Sequence, residues 1–537
     1  MFVFLGIAFL ASLVVGLLRP VVPATPLVLG LLWLGVATAI DRLAGRAPRG
    51  HALRPVIGKA EPRVPDPPPR HPPAASWYVE SLGDTGVPFS CSFVEFDERG
   101  DYLDFEQHRH AYQKISELAA DAAAFTVVIY VHGWRHSGQS YDVVSFNEFL
   151  RQLSRADGED RGRRRVHGVY LAWRGASLRP AIPQDDTFRR IEECFGGEVV
   201  DSRRRARLPY LNMALETLSY WNRKGIPEYK FSATCISRTL FSCAFAAKRN
   251  APRCEVLLIG HSFGGLMLER TFQNAAISLL TNAWPWGSPE AAGKSVNPLP
   301  FDTVVLVNSA APSIYAKQFQ GYLAAHRQAM VGRVPHAATP IVFSLTSSAD
   351  WATGIAHPLA NMLAPCVPSL WRYYRGNQFI LELTPDAARV KIPQWYYYRH
   401  TPGHNPLIVN RFVEPAPADT PPPVDRSAHL HDNLARRVNS EEFKTSTRKG
   451  HGSLAWRITF PPAMPANVRF SSYRGHKPLV WTQARTGRFT YKDTAYWIIR
   501  CPKAIIAGHN DIWSQAAMDT YAALHRIALG AREGSPQ

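Results

Sequence analysis

Short apolar runs rich in β-branched residues recur along this 537-residue chain, and helix-length stretches of mixed polarity separate them. The runs lie at 125–131, 166–172, 256–259, 304–307, 341–345 and 496–500, and a helical pattern follows the last of them at 513–529. Continuous apolar strands are typical of a sheet buried on both faces, and helix-length connections favour parallel strands. The sequence therefore predicts an α/β fold with helices on both faces of a mainly parallel sheet.

The composition excludes two classes of protein. Hydrophobic residues make up 46% of the chain and charged residues 19%, which is too apolar for a mainly disordered protein. Seven cysteines are scattered without a CxxC pair, so neither a disulfide framework nor a zinc site is indicated. Scattered single cysteines favour reduced thiols and a cytosolic setting for the globular part.

Two apolar runs at the start of the chain, 2–18 and 21–40, have about the length needed to cross a bilayer. No basic residue precedes Arg19, unlike in a signal peptide. We predict a transmembrane hairpin or anchor at 1–41, with a single anchor or an export signal as alternatives. Basic residues follow the second run, so the positive-inside rule puts the rest of the chain in the cytoplasm, at a bacterial-type inner membrane. Residues 42–76 predict a basic, proline-rich linker near anionic lipid.

The most specific motif is Gly-His-Ser-Phe-Gly-Gly at 260–265, between a predicted strand and a helical pattern. A strand-to-helix turn this tight strains the backbone of the serine and requires glycine where neighbouring elements approach closely. We therefore interpret Ser262 as a nucleophile on an elbow formed with Gly260, His261 and Gly264. The alternative is a glycine-rich connection with an idle serine.

A second motif lies upstream, where the predicted strand 125–131 runs directly into His132-Gly133-Trp134. Backbone N–H groups of this loop, at Gly133 or Trp134, and of Phe263 after the serine, are the candidate oxyanion-hole donors. On these two motifs the chain resembles serine hydrolases of the α/β-hydrolase superfamily, esterase- or lipase-like, over roughly 120–350 and 490–530.

The resemblance implies a carboxylate and then a histidine after the serine in chain order. Asp350 follows the predicted strand 341–345 and is the candidate acid, although helix capping would also explain it. His509, before the last helix, is the preferred base, and His404 is the alternative base. A triad with His509 implies a large late insertion, which gives a hydrolase core at 77–410, an insertion or lid at 411–490 and a C-terminal part at 491–537. With His404 as the base, residues from 411 onward would form a separate appendage.

The predicted function is a membrane-anchored serine hydrolase that cleaves a carboxylic ester or related acyl bond without a cofactor. Lipids are one class of substrate that this prediction includes. The alternative is a membrane-anchored interaction module that keeps the fold without turnover. The net charge of +18 is compatible with acidic surfaces, but the basic clusters 161–165, 203–207 and 448–449 lack interleaved aromatic residues, so we expect no nucleic acid partner. Paired histidines lack accompanying cysteines or an HExxH spacing, so we expect no metal.

Overall fold

The computed structural model describes residues 78–82, 88–97, 100–121, 125–134, 141–160, 165–173, 220–230, 235–250, 254–280, 300–320, 341–362, 379–383, 389–415, 441–446, 453–459, 467–470, 479–482 and 496–533. The predicted hairpin at 1–41 and the predicted linker at 42–76 lie outside these ranges. Within them, no helix combines the length and the apolar character that crossing a bilayer requires.

The secondary structure elements are numbered in chain order. The strands are β1 (Tyr78–Leu82), β2 (Pro88–Phe96), β3 (Phe125–Val131), β4 (Arg165–Trp173), β5 (Glu255–His261), β6 (Thr303–Val307), β7 (Val342–Ser347), β8 (Phe379–Leu383), β9 (Arg389–Pro393), β10 (Arg411–Pro415), β11 (Glu441–Ser446), β12 (Ser453–Thr459), β13 (Asn467–Phe470), β14 (Leu479–Thr482) and β15 (Tyr496–Cys501). The helices are α1 (Phe105–Asp121), α2 (Tyr141–Asp160), α3 (Tyr220–Gly225), α4 (Cys235–Asn250), α5 (Phe263–Leu280), α6 (His357–Met362), α7 (Gln394–Arg399) and α8 (Gln515–Glu533). Short π-helical turns span Ile226–Lys230 and Ala352–Ala356, and a 3-10 turn spans Pro402–His404.

One large sheet organises the described part of the chain, with the strand order β1-β2-β4-β3-β5-β6-β7-β15-β10-β12-β11. The strands from β2 to β10 in this order pair in parallel throughout. Strand β1 is antiparallel at one edge, and β12 and β11 are antiparallel at the other. The predicted α/β class with a mainly parallel sheet is therefore confirmed.

The central strands bury both of their faces, which explains their continuous apolar sequences. In β3, Val127 and Ile129 pack into one core, while Val128 and Tyr130 pack into the core on the opposite face. The helices cover the two faces with apolar side chains, such as Ile115 of α1, Leu240 of α4 and Leu266 of α5 on the first face, and Phe146 of α2 and Leu524 of α8 on the second. Each large apolar side chain buried in this way contributes about 1.5–3 kcal/mol.

The first strand of the predicted insertion at 411–490 belongs to the main sheet. Strand β10 pairs in parallel with β15, so that Arg411 lies opposite Ile499, and β12 pairs with the other side of β10. Strands β13 and β14 form a separate two-stranded sheet. Strands β10, β11 and β12 of this segment thus widen the main sheet, and the role of the segment as a lid stays a prediction.

A buried carboxyl group on α5 makes the stability of the fold depend on pH. Glu269 is buried, and its Oε1 accepts a hydrogen bond of 2.8 Å from the hydroxyl of Tyr496. Burial raises the pKa of Glu269 from 4.5 to about 7, against weaker lowering effects of that hydrogen bond and of Arg270. Between these two pH values the folded protein holds a proton on Glu269 that the unfolded chain has lost, so the contribution of Glu269 to stability falls as the pH rises.

We expect Glu269→Gln to remove most of this decline. Because a pKa difference of one unit corresponds to 1.36 kcal/mol, the variant should gain about 3 kcal/mol over wild type between pH 4.5 and pH 8. The free energy of unfolding in urea, measured across this range, checks the prediction. Glu148→Gln is the control, because the pKa of Glu148 is lowered despite its partial burial, through Arg151 and Gln152. A difference between Glu269→Gln and wild type that stays constant from pH 4.5 to pH 8 would contradict the assignment.

Candidate active site

The candidate site lies where the parallel strands of the sheet end. Carboxyl ends of adjacent parallel strands meet at one edge, and ligand sites of open α/β sheets lie at that edge. The residues that follow β3, β5, β6, β7 and β15, five adjacent strands of the sheet, include Gly133, Ser262, Asn308, Asp350 and His509 respectively. The topology therefore brings distant parts of the chain to one place.

Ser262 occupies a strained turn between β5 and α5. Its φ of 53° lies in the left-handed region, which few residues with a side chain adopt. The backbone N–H of Ser262 donates to the carbonyl of Val307 at 3.0 Å, which holds the turn against β6. A Cβ on Gly264 would lie 2.1 Å from the carbonyl oxygen of Val131, and one on Gly260 would lie 2.8 Å from that of Gly264. The turn therefore requires glycine on both sides of the serine.

Ser262, His509 and Asp350 form a continuous chain of hydrogen bonds. The Oγ of Ser262 lies 3.0 Å from the Nε2 of His509. The Nδ1 of the same ring lies 3.0 Å from each carboxylate oxygen of Asp350. All three residues are buried, with exposed fractions of 5%, 4% and 2% respectively. A serine, an imidazole and a carboxylate in this order have the geometry of a nucleophile, its base and the group that orients the base.

Asp350 is anchored on the turn that follows it as well as on His509. Its Oδ1 accepts from the N–H groups of Ala352 and Thr353, and its Oδ2 accepts from the Thr353 hydroxyl. Burial acts to raise the pKa of Asp350, but His509, the Thr353 hydrogen bond and His404 together hold it below its ordinary value. The carboxylate is therefore ionised at neutral pH, and the Nδ1 of His509 carries the proton that it donates. The same side chain caps a helical turn and orients the imidazole.

His404, the alternative base, lies beside the site without joining the hydrogen-bond chain. A Cβ on Gly354, in the turn after Asp350, would come within 2.9 Å of the His404 ring. Burial lowers the pKa of His404 to about 4, although the charge of Asp350 acts in the opposite sense. The Nε2 of His404 is buried and makes no hydrogen bond within the described ranges. His509 is therefore the histidine that this structure brings to Ser262.

The loop after β3 passes directly over the serine. A Cβ on Gly133 would lie 3.0 Å from the Cβ of Ser262. The carbonyl of His132 accepts from the Trp173 indole N–H at 3.0 Å, and the Nδ1–H of His132 donates to the carbonyl of Gly133 at 2.8 Å. The C=O and N–H of a trans peptide point in opposite directions. The N–H of Gly133 therefore faces away from the Trp173 indole, and the N–H of Trp134 faces away from the His132 ring. Phe263, the first residue of α5, has an N–H without an intrahelical acceptor.

Three aromatic rings pack together beside these backbone groups. The ring of Trp134 stacks on that of Phe263 with centroids 5.7 Å apart, and Tyr220 of α3 packs against both, at 5.7 Å and 5.6 Å. The three rings come from three separate segments of the chain. They give the candidate oxyanion hole an apolar wall.

Three residues of the site were not predicted from the sequence: Asn308, Thr353 and Tyr220. A signal existed for the first two, since Asn308 directly follows an apolar strand and Thr353 has the spacing of a residue capped by Asp350. No local pattern marks Tyr220. Within the described ranges, no group of three or more histidine, cysteine or acidic side chains is assembled that could hold a metal ion.

Comparisons with known proteins add little to this geometry. No family model matches the chain, and no curated protein matches it. Among solved structures, the phospholipase PlaB from Legionella pneumophila in complex with thio-NAD aligns at 9% sequence identity, over 70% of this chain and 93% of that chain. The TM-score of this alignment is 0.20.

Proposed function

We propose that this protein is a serine hydrolase that cleaves a carboxylic ester or related acyl bond. The observation that carries the proposal is the unbroken contact from the Oγ of Ser262 to Nε2 of His509, and from Nδ1 of His509 to Asp350, each at 3.0 Å. The strained backbone of Ser262 and the chain order of serine, acid and histidine further support membership of the α/β-hydrolase superfamily.

The first half-reaction transfers the acyl group to the enzyme. The Ser262 oxygen bonds to the acyl carbon while its proton moves to the Nε2 of His509, and the electron pair of the carbonyl double bond moves to its oxygen. Asp350 keeps the imidazole in the required tautomer and stabilises the imidazolium. When the tetrahedral intermediate collapses, the bond to the leaving group breaks and His509 gives that group its proton.

The second half-reaction regenerates the serine. Water attacks the acyl carbon and passes a proton to His509, which returns it to the Ser262 oxygen when the acid product leaves. In both steps the N–H groups of Phe263 and of the Gly133–Trp134 loop bind the developing oxyanion. Removal of one such donor typically lowers the rate by about 100- to 1000-fold.

Ester hydrolysis and its inactivation test the proposal together. The full chain, purified in detergent, is assayed with p-nitrophenyl esters of short and long acyl chains, before and after treatment with a fluorophosphonate. We expect hydrolysis of at least one ester and its time-dependent loss after treatment. If the protein neither hydrolyses any of these esters nor reacts with the fluorophosphonate, the result would support the non-catalytic interaction module instead.

We also propose that the two apolar runs at 2–18 and 21–40 hold the hydrolase at a membrane, with the domain on the cytoplasmic side. The support is in the sequence alone, through the length of the runs and the basic residues after them. We expect the full chain to stay in the membrane pellet at alkaline pH and to be released by detergent. A chain that starts at residue 77 should appear in the soluble fraction, and release of the full chain at alkaline pH would contradict the anchor.

A further inference from the structure

The loop that carries His509 has to cross the ends of two strands to reach the serine. His509 follows β15, whereas Ser262 follows β5, and β6 and β7 lie between these strands in the sheet. The base therefore depends on contacts that fix its loop above the intervening strands. Polar side chains at the ends of β5, β6 and β7 provide such contacts.

Each of these strand ends contributes hydrogen bonds to the loop. The Nε2–H of His261 donates to the carbonyl of His509 at 2.9 Å, and the hydroxyl of Ser347 donates to the carbonyl of Ile506 at 2.6 Å. Between them, the Nδ2 of Asn308 donates to the carbonyls of His509 and Gly508, at 3.1 Å and 3.2 Å.

Asn308 also holds the strand that leads to the acid. Its Oδ1 accepts from the backbone N–H of Ser347 at 2.9 Å, and Ser347 lies three residues before Asp350. One amide group therefore contacts both the segment of the base and the segment of the acid. Asn308 is completely buried, so these hydrogen bonds are made away from water.

The residue type fits both its conformation and its contacts. Asn308 has a φ of 45°, in the left-handed region that asparagine tolerates better than most residues. Only an amide can donate to two carbonyls and accept from an N–H at the same place, because a carboxylate accepts but does not donate. An aspartate would keep the bond to Ser347 and would set a negative charge against the carbonyl of His509.

We infer that Asn308 is a positioning residue, which sets the distance and orientation of His509 relative to Ser262 and Asp350. This inference rests on the proposed function. A displacement of about 1 Å in a catalytic group can lower a rate about 100-fold, so the loss of these hydrogen bonds should lower the reactivity of Ser262.

The test compares Asn308→Asp with a matched change elsewhere. Asn410 makes the same kinds of bond within the sheet, with its Nδ2 donating to the carbonyl of Tyr496 at 3.0 Å and its Oδ1 accepting from the N–H of Ile498 at 2.9 Å. Labelling rates with a fluorophosphonate are measured for the full chain from pH 5 to pH 9. We expect Asn308→Asp to label about 100-fold more slowly than wild type at pH 7. The pH at which the labelling rate is half-maximal should rise in this variant, because the new carboxylate favours the protonated form of the His509 imidazole.

The control and a second variant separate positioning from folding. Asn410→Asp should label within about twofold of wild type with an unchanged midpoint. Asn308→Gly keeps the left-handed backbone without adding charge, so it should lower the rate at least about tenfold and leave the midpoint in place. Wild-type rates in both Asn308 variants, or equal losses in Asn410→Asp, would overturn the inference. Wild-type protein that does not label would contradict the proposed function itself.

Discussion

Replacing Ser262 by alanine should lower the rate of ester hydrolysis by about 10⁶-fold, to the residual rate that the other groups of the site support without a nucleophile. The reason is that in the proposed mechanism the Oγ of Ser262, which lies 3.0 Å from the Nε2 of His509, is the atom that bonds to the acyl carbon. Alanine keeps the Cβ and removes only this oxygen. The measurement is the rate of p-nitrophenyl ester hydrolysis, with urea unfolding to show that the variant is folded.

Ser154→Ala provides the matched control for this loss. Ser154 is also a buried serine, but its hydroxyl donates to the carbonyl of Arg151 within α2. We expect the control to keep wild-type activity. Activity in Ser262→Ala within about tenfold of wild type would show that another residue performs the reaction.

The second large effect should distinguish the two candidate bases. His509→Ala should lower hydrolysis by about 10⁶-fold, because it removes the imidazole whose Nε2 lies 3.0 Å from the Oγ of Ser262. His404→Ala should change the rate by less than about tenfold, because His404 makes no hydrogen bond to the serine there. Both variants are compared in the same ester assay.

The two histidine variants act as controls for each other. Each removes one imidazole from the neighbourhood of Asp350, so a general disturbance of the acid would affect both. A loss in His404→Ala as large as that in His509→Ala would contradict the assignment of the base. Full activity in His509→Ala would contradict the triad.

The strands that could be predicted from the sequence are those buried on both faces. The predicted run 125–131 coincides with β3, and the run 256–259 lies within β5, because strands covered on both faces have continuous apolar sequences. The strand β2 was missed because Ser90 and Ser92 interrupt its apolar pattern. Their hydroxyls lie 2.7 Å and 3.2 Å from the ring nitrogens of His167, so polar groups are satisfied inside the sheet. Such cross-strand pairs leave no local periodicity.

In the candidate site, too, features with a local sequence pattern could be predicted and features that depend on distant contacts could not. The elbow around Ser262 could be predicted because its close packing requires glycine at Gly260 and Gly264, which lie within two residues of the serine in the sequence. His509 was preferred over His404 because it precedes the last predicted helix, but Asp350 and His509 are 159 positions apart in the chain, and no local pattern shows how the segment between them folds. The contacts of Asn308 with the segments of both His509 and Asp350 depend on the strand order and were not predicted.

If Ser262 is the nucleophile, a fluorophosphonate should modify it in the folded wild-type protein. In this reaction the attacking side-chain oxygen bonds to phosphorus and fluoride leaves, and mass spectrometry of the digested peptides reports which side chain carries the phosphonyl group. We expect a single adduct on the Oγ of Ser262, and we expect it to be absent when the protein is denatured by heat before labelling. An adduct on any other residue, or an unmodified Ser262 peptide in folded protein, would contradict the assignment of Ser262 as the nucleophile.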